Sequence, residues 1–175
     1  MHSRLCLVAL AFPFLLAPAS HARSQADADS AELENYKLTV PVIKKLEQVQ
    51  ENLYSAVKAN PSLTSKYKDD KSSSNASESI DEAAKKMDKV PELKAAISKA
   101  GFTTREYLVA GLALVQASMA NSLVEKPGAD TGRLSPGIRA NMAFVKAHQA
   151  ELTHMQQRQK QLDAETKELT GGNKR

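Results

Sequence analysis

Residues 101–120 read GFTTREYLVAGLALVQASMA and contain the strongest local folding signal in the chain. Thr103, with Glu106 three residues later, matches a capping box, in which each side chain bonds to the backbone N–H of the other residue. Phe102 and Tyr107 occupy the two positions of a hydrophobic staple, and Gly101 is the residue type that commonly ends a preceding helix. The pattern predicts that one helix ends just before Gly101 and another begins near Thr103.

The helix that begins there is apolar almost all round. One side carries a row of bulky side chains, which are Leu108, Leu112, Val115 and Met119. Another side carries a row of alanines, which are Ala110, Ala113, Ala117 and Ala120. A helix that is apolar on both sides is typical of one buried between neighbours, and alanine lets a neighbouring helix approach closely. The sequence therefore predicts a central helix with both rows buried. A ligand channel along the alanine row is the alternative.

The rest of the mature chain also has helical periodicity. Pro41 and Pro61 bracket one helix, because proline is tolerated in a first turn and just beyond a last one. Two short helices follow, one around Ile80 to Met87 and one restarted by Pro91. A long last helix starts between Ser135 and Asn141 and runs to about Leu169. We predict an all-α fold, an antiparallel bundle of four to five helices with a long last helix.

The first 22 residues are typical of a cleaved signal peptide. A short basic region precedes the apolar core LCLVALAFPFLLA, and small residues allow cleavage after Ala19 or Ala22. Cleavage removes Cys6, the one cysteine, so the mature chain forms neither a disulfide nor a thiolate metal site. These features predict a bacterial protein that is periplasmic or secreted.

The sequence after residue 22 divides into three parts. We expect a polar N-terminal segment over 23–38, a single helical domain over 39–169 and a disordered tail over 170–175. Within the domain, residues 62–79 are rich in serine and charge and predict a mobile loop.

Composition argues against several functions. The 24 basic and 20 acidic residues are evenly spread and the chain has no tryptophan, which does not indicate nucleic-acid binding. The mature chain has no apolar run of about 20 residues, so we expect no transmembrane segment. Gly-x-Ser-x-Gly, His-Glu-x-x-His and phosphate-loop motifs are missing, and we expect neither catalysis nor a cofactor.

The stretch KAHQAELTHM, residues 146–155, holds the candidate ligands for a metal or haem: His148, Glu151 and His154. At about 100° per residue, His148 shares the apolar face with Leu152 and Met155, whereas His154 lies about 120° away. Two ligands on consecutive turns need a spacing of three or four, and the histidines are six apart. We predict that His148 is a packing residue with a hydrogen-bond partner and that His154 is solvated. A haem or metal site using His148 is the alternative.

Two resemblances add expectations. GFTTREYLVAGLALVQASMA together with NMAFVKAHQAEL resembles a family of small exported bacterial helical proteins that has no established function, over residues 36–155. Leu152, Thr153 and Gln156 are similar to the Leu-Thr-x-x-Gln motif of the Spy/CpxP family, which implies a periplasmic holdase chaperone. In that family the Leu-Thr pair tends to open a helix and the motif occurs twice, whereas here it occurs once, inside the predicted last helix.

These observations favour an exported, non-catalytic binding or interaction module of the cell envelope. Beyond Met155 the last helix keeps only Leu162 and Leu169 as large apolar residues, so it outruns the pattern that would hold it in the bundle. We expect this end to contact another envelope protein. A merely solvated helix end is the alternative, and the sequence leaves the oligomeric state open.

Overall fold

The computed structural model describes residues 20–64, 78–124, 132 and 134–171. This part of the chain contains seven α-helices and no strand. They are α1 (Ser20–Asn35), α2 (Val40–Ala59), α3 (Ile80–Asp88), α4 (Pro91–Lys99), α5 (Thr104–Val124), α6 (Pro136–Ala147) and α7 (Gln149–Gly171). The prediction of an all-α fold is confirmed. Most of the proposed signal peptide and tail, 1–19 and 172–175, lies outside the described residues.

The main core forms around α2, which packs against α4, α5 and α7. Ile43, Leu46 and Val49 of α2 meet Ile97 of α4, and the alanine row of α5 lies in the same cluster. Val145, Leu152 and Met155 of α6 and α7 complete it. A smaller apolar cluster joins α5 to α6 through Ala120, Ile138 and Met142. Helix α5 therefore contributes to both clusters.

The start of α5 has the predicted geometry. The N–H of Thr103 donates to Glu106 Oε2 at 2.7 Å, and the N–H of Glu106 donates to Thr103 Oγ1 at 3.1 Å. Phe102 and Tyr107 meet edge to face, with ring centroids 6.3 Å apart. Gly101 has φ +80°, a conformation that glycine adopts without strain. Both the capping box and the staple are confirmed.

Helix α1 packs against α5 and α6, although its residues read as a polar segment ahead of the domain. Asp29 Oδ2 accepts the N–H of Ile80 at 2.9 Å and so caps the start of α3. The Asn141 side chain accepts from Leu38 N at 2.9 Å and donates to Tyr36 O at 2.7 Å. These partners are 51 to 105 residues apart, which is why the local pattern did not reveal them.

The end of α1 and the start of α6 touch through backbone. A Cβ at Gly137 would overlap the carbonyl group of Glu34. Position 137 therefore requires glycine for the close approach of these two helices, independently of any unusual φ.

The long last helix is interrupted, contrary to the prediction. Helix α6 ends at Ala147 and α7 begins at Gln149, with His148 between them at φ −113° and ψ 30°. Its N–H still donates to Phe144 O, and its carbonyl accepts from Leu152 N, at 3.0 and 3.1 Å. Because the backbone bonds continue across the bend, neither proline nor glycine is needed, and the sequence gives no breaking signal. Leu152 and Thr153 consequently lie in the first turn or so of α7.

Part of the predicted loop 62–79 is also ordered into the fold. Leu63 is 1% exposed and lies in a short helical turn after α2. Ser79 and Glu82 form a second capping box at the start of α3. The intervening residues 65–77 lie outside the described part, so the expected mobility there stays a prediction.

Candidate functional site

His148 lies at the bend between α6 and α7. Its ring centroid is 4.4 Å from that of Phe144, and Nδ1 is 3.3 Å from Glu151 Oε1. The side chain is 29% exposed, so it lies at the edge of the core. The N–H of Glu151 itself and the His148 ring together hold the pKa of the Glu151 carboxyl below its usual range. The structure thus gives His148 both an aromatic contact and a polar partner.

His154 lies six residues after His148, within α7. Its side chain is 75% exposed, and Nδ1 is 3.2 Å from Glu47 Oε1 on α2. The sequence pattern predicted that His154 is solvated. It did not indicate the contact with Glu47, which is 107 residues away along the chain.

A shallow cleft of about 310 Å³ separates α2 from the bend. Both histidines, Glu47 and Glu151 line it, together with Val40, Ile43, Lys44, Phe144 and Ala150. Each histidine faces a different carboxylate. Among the described residues, no three His, Cys, Asp or Glu side chains come together in a group that could hold a metal ion. The cleft therefore brings the candidate ligands to one region as two separate His–Glu pairs.

Helix α5 has two apolar faces, one of which is buried and the other exposed. Ala110, Ala113 and Ala117 are 0% exposed and fill the core. Most of the bulky row faces away from the core: Leu112 is 43% exposed, Val115 54% and Met119 61%, and Leu123 one turn on is 55% exposed. The prediction that both rows are buried is wrong for these side chains. Because α5 is apolar almost all round, no charged side indicates which face points outward.

We call this surface the outer face of α5. It consists of Leu112, Val115, Met119 and Leu123, with the small residues Gly111, Ser118 and Ser122 beside them. No Asp, Glu, Lys or Arg stands between Tyr107 and Val124. Gln116, which is half-buried, lies beside Leu112 and Leu123 by helical spacing. The outer face is therefore uncharged along its whole length and apolar in its large side chains apart from Gln116.

Polar contacts fix the first turn of α5. Arg105 pairs with Glu32 of α1 at 2.5 Å and with Asp81 of α3 at 2.7 Å, while Asp29 of α1 lies at 3.6 Å. These carboxylates, Glu32 first, raise the pKa of the Arg105 guanidinium, which stays charged at any accessible pH. The Thr104 hydroxyl donates to Asp88 Oδ1 at 2.5 Å and lowers the pKa of that carboxyl. Helices α1 and α3 thereby cover this end of α5.

The far end of α5 is fixed by one buried amide. Asn121 is 7% exposed, and its Nδ2 donates to Met142 O of α6 at 3.0 Å. With Arg105 at one end and Asn121 at the other, rotation of α5 about its axis would break polar contacts at both ends. The outward direction of the bulky side chains is therefore built into the fold.

The second half of α7 lies along α2. Arg158 donates from two nitrogens to both oxygens of Glu51, at 2.5 and 3.0 Å, and Leu162 is 5% exposed. The hydrogen bonds from Arg158 lower the pKa of Glu51, and the hydrogen bond to Glu165 raises the pKa of the Tyr54 hydroxyl. Much of the segment expected to outrun the core is therefore held by paired polar side chains.

Helix α5 is also, within the described part of the chain, the one helix that is long and apolar enough to cross a membrane by length and composition. One third of its most apolar stretch is buried against the rest of the protein.

No family model, curated protein sequence or solved structure matches this chain. The geometry of the outer face and of the cleft consequently carries the functional argument.

Proposed function

We propose that the protein is an exported, non-catalytic interaction module of the cell envelope, and that the outer face of α5 is its contact surface. The supporting observation is the exposure of Leu112, Val115, Met119 and Leu123, each between 43% and 61%. Burying such a side chain fully is worth about 1.5–3 kcal/mol, so half-exposure forgoes a sizeable part of that stabilisation at four positions. The largest apolar patch on a folded protein is often a functional surface.

The composition of the outer face limits the kind of partner. With no charged residue from Tyr107 to Val124, it offers no ion pair to a phosphate or to a charged peptide. Gly111, Ser118 and Ser122 add small side chains that permit close approach. The partner is therefore an uncharged apolar protein surface, most simply another helix.

The N-terminal sequence supports export. The basic start, the short apolar core and the small residues before position 23 match the pattern that signal peptidase recognises. The mature protein then lies in the periplasm or outside the cell, where its partner is another envelope protein or a second copy.

We place the contact on α5 rather than on the last helix. Leu162 faces inward, and Arg158 is occupied by Glu51. Leu169 is the one large apolar side chain of α7 that is exposed among the described residues, at 39%, and one such residue does not make a patch.

Site-specific photo-cross-linking in cells tests the proposal. A photoreactive amino acid replaces Met119 in one variant and Leu169 in a matched control, since both side chains are exposed and apolar. We expect a discrete adduct from position 119 in the envelope fraction and none from position 169. Equal labelling from both positions, or none from position 119, would contradict the assignment of the face. Recovery in the cytoplasm with Met1 retained would contradict export.

A Spy-like holdase is a second candidate, favoured by the bend at His148. Because α7 begins at Gln149, Leu152 and Thr153 lie near the start of a helix, the place that the pair tends to take in that family. The outer face would then hold unfolded chains. Light scattering from an aggregating client protein distinguishes this role. A parent protein that suppresses aggregation and a Met119→Glu variant that does not would support the holdase role. Equal suppression by the parent and the variant, or no suppression by either, would argue against that role.

A further inference from the structure

We infer that the cleft between α2 and the bend at His148 is a binding site for a small organic amine, a molecule with an apolar body and one ammonium group. The residues that line the cleft belong to α2, α6, α7 and the bend, so the cleft is separate from the outer face of α5. The inference therefore goes beyond the proposed function. Three properties of the cleft support it: its apolar lining, its hydrogen-bond acceptors and its charge.

The apolar lining suits the body of such a ligand. Val40 and Ile43 of α2, Phe144 of α6 and Ala150 of α7 lie between the polar side chains of the cleft. A cleft with mainly apolar walls and a few polar groups is the usual form of a small-molecule site. Its volume of about 310 Å³ is at the small end of the ~300–1,000 Å³ that such sites occupy. The cleft thus favours a ligand with one ring or a short alkyl chain.

The polar side chains of the cleft are mainly hydrogen-bond acceptors. A ring Nδ1 lies beside a carboxylate oxygen in each of two pairs, His154 with Glu47 at 3.2 Å and His148 with Glu151 at 3.3 Å. An ionised carboxylate only accepts hydrogen bonds, so Nδ1 carries the proton in both pairs. In a neutral ring Nε2 is then bare and also accepts. Two carboxylates and two Nε2 atoms therefore offer lone pairs to a ligand that brings N–H donors.

The charge of the cleft favours a cation. With neutral histidines, the lining carries one positive charge, on Lys44, and two negative charges, on Glu47 and Glu151, which leaves a net charge of −1. The whole chain has a net charge of +4, so this region is negative on a positive protein. An ammonium group supplies the missing positive charge together with three N–H donors.

Glu47 is the carboxylate that the ammonium group would contact. Glu151 already accepts hydrogen bonds from its own N–H and from His148. The partner that the structure gives Glu47 is His154, a side chain that is 75% exposed, whereas Glu47 itself is only 30% exposed. An ion pair at a partly buried carboxylate is screened less by water than one at an exposed carboxylate. We therefore place the ammonium group at Glu47 and the apolar body along the wall beside it.

Binding of 2-phenylethylamine to the purified full chain tests the inference. 2-Phenylethanol and 3-phenylpropionate have a similar body and carry a neutral hydroxyl or a carboxylate in place of the ammonium group. Side-chain NMR of the histidine rings at neutral pH follows the titrations. We expect the amine to bind in the millimolar range or tighter, at least about tenfold more tightly than either analogue. This series uses the parent protein alone, so it decides even where a variant unfolds.

Charge-removing variants locate the contact. Glu47→Gln keeps the size of the side chain and should weaken amine binding at least about tenfold, since the charge-assisted contact is lost. Lys44→Gln removes a like charge and should strengthen amine binding at least about twofold. The matched control is Glu168→Gln, which changes an exposed glutamate of α7 outside the cleft and should leave binding unchanged. Circular dichroism checks that each variant keeps the helical content of the parent.

Acidification provides a second, independent readout. Histidine is the side chain type that gains a proton between about pH 8 and 5, which would block both Nε2 acceptors. The charged groups that face the two rings are Lys44, Glu47 and Glu151, so the net charge of the lining would change from −1 to +1. We expect amine binding to weaken at least about tenfold between about pH 7.5 and 5.5, and 2-phenylethanol binding to change less.

Four results would overturn the inference. They are no histidine shift with the amine up to about 20 mM, equal affinity for the amine and 2-phenylethanol, equal effects of Glu47→Gln and Glu168→Gln, and amine binding that is unchanged in acid. Tighter binding of 3-phenylpropionate would assign the cleft to anions through Lys44 and would reject the amine. Photo-cross-linking from position 119 tests the outer face of α5 separately, so either proposal can fail without the other.

Discussion

Ala113 shows how one small side chain fixes a helix position. It is 0% exposed and lies among α2 and α6 side chains, so no space remains for a larger group. We predict that Ala113→Leu lowers the free energy of unfolding by about 1–3 kcal/mol, since overpacking forces neighbours out of position. Urea denaturation measures the change.

The matched control lies two residues earlier on the same helix. Gly111→Ala fills open space and should raise stability by roughly 0.5–1 kcal/mol, the gain of alanine over glycine inside a helix. An unchanged midpoint for Ala113→Leu would mean that the alanine row faces solvent or a cavity, and the ligand-channel alternative would gain support.

Gly137 makes a sharper prediction, because its conflict is with backbone. A methyl group there would overlap the carbonyl of Glu34, which a side-chain rotation cannot relieve. We expect Gly137→Ala to destabilise the protein by more than about 1 kcal/mol and to loosen α1, despite the better helix propensity of alanine. Faster amide exchange in α1 is the readout, and a neutral or stabilised variant would show that the helices do not touch at this point.

His148 and His154 line the same cleft, but each of them faces a different carboxylate. We therefore predict that the purified protein carries no stoichiometric metal or haem, and that His148→Gln lowers the melting temperature through loss of the Phe144 and Glu151 contacts. Elemental analysis and visible absorbance decide the first point. About one equivalent of metal, lost in His148→Ala and kept in His154→Ala, would contradict it.

Helices α2 and α7 are joined by an ion pair whose strength depends on pH. Arg158 holds the pKa of Glu51 below its usual range, and an unfolded chain has a glutamate pKa of about 4.3. The stabilisation is thus fully present above that value and is lost as pH falls through the lower folded-state pKa. We predict a melting temperature that is steady from pH 7 to about 5 and falls below about pH 4.

Glu51→Gln should make this acid-induced fall shallower without abolishing it. The pKa of Asp88 is also lowered, by the Thr104 hydroxyl, and that of Glu106 by the Thr103 backbone, so both contribute in the same pH range. An identical acid slope in the variant and the parent would show that the Glu51–Arg158 pair does not form.

The elements that the sequence predicted best are those whose signals are local. Thr103, Glu106 and Gly101 act on backbone groups within a few residues, so their pattern is sufficient to place the helix boundary. Asp29, Asn121 and Asn141 act on partners far along the chain, and nothing in their neighbourhood indicates burial. The bend at His148 escaped prediction because its backbone hydrogen bonds continue through it.

For the whole molecule, the outward direction of the bulky side chains of α5 was the feature that sequence reasoning missed. Amphipathic patterns locate the core by contrast, and α5 has none, since its alanines and its large side chains are equally apolar. Only the packing of alanine against α2 and α6, with Arg105 and Asn121 fixed at the ends, decides which face is covered. The candidate histidines were found from sequence because they lie within one ten-residue stretch, 146–155.

Thiol labelling measures which face of α5 is exposed. In a Cys6→Ser background, Met119→Cys and Ala117→Cys place one thiol on each face of the same helix. In dilute folded protein we predict that the thiol at position 119 reacts nearly as fast as in urea, and the thiol at position 117 at least about 100-fold more slowly. A protected thiol at 119 beside a reactive one at 117 would contradict this orientation of α5.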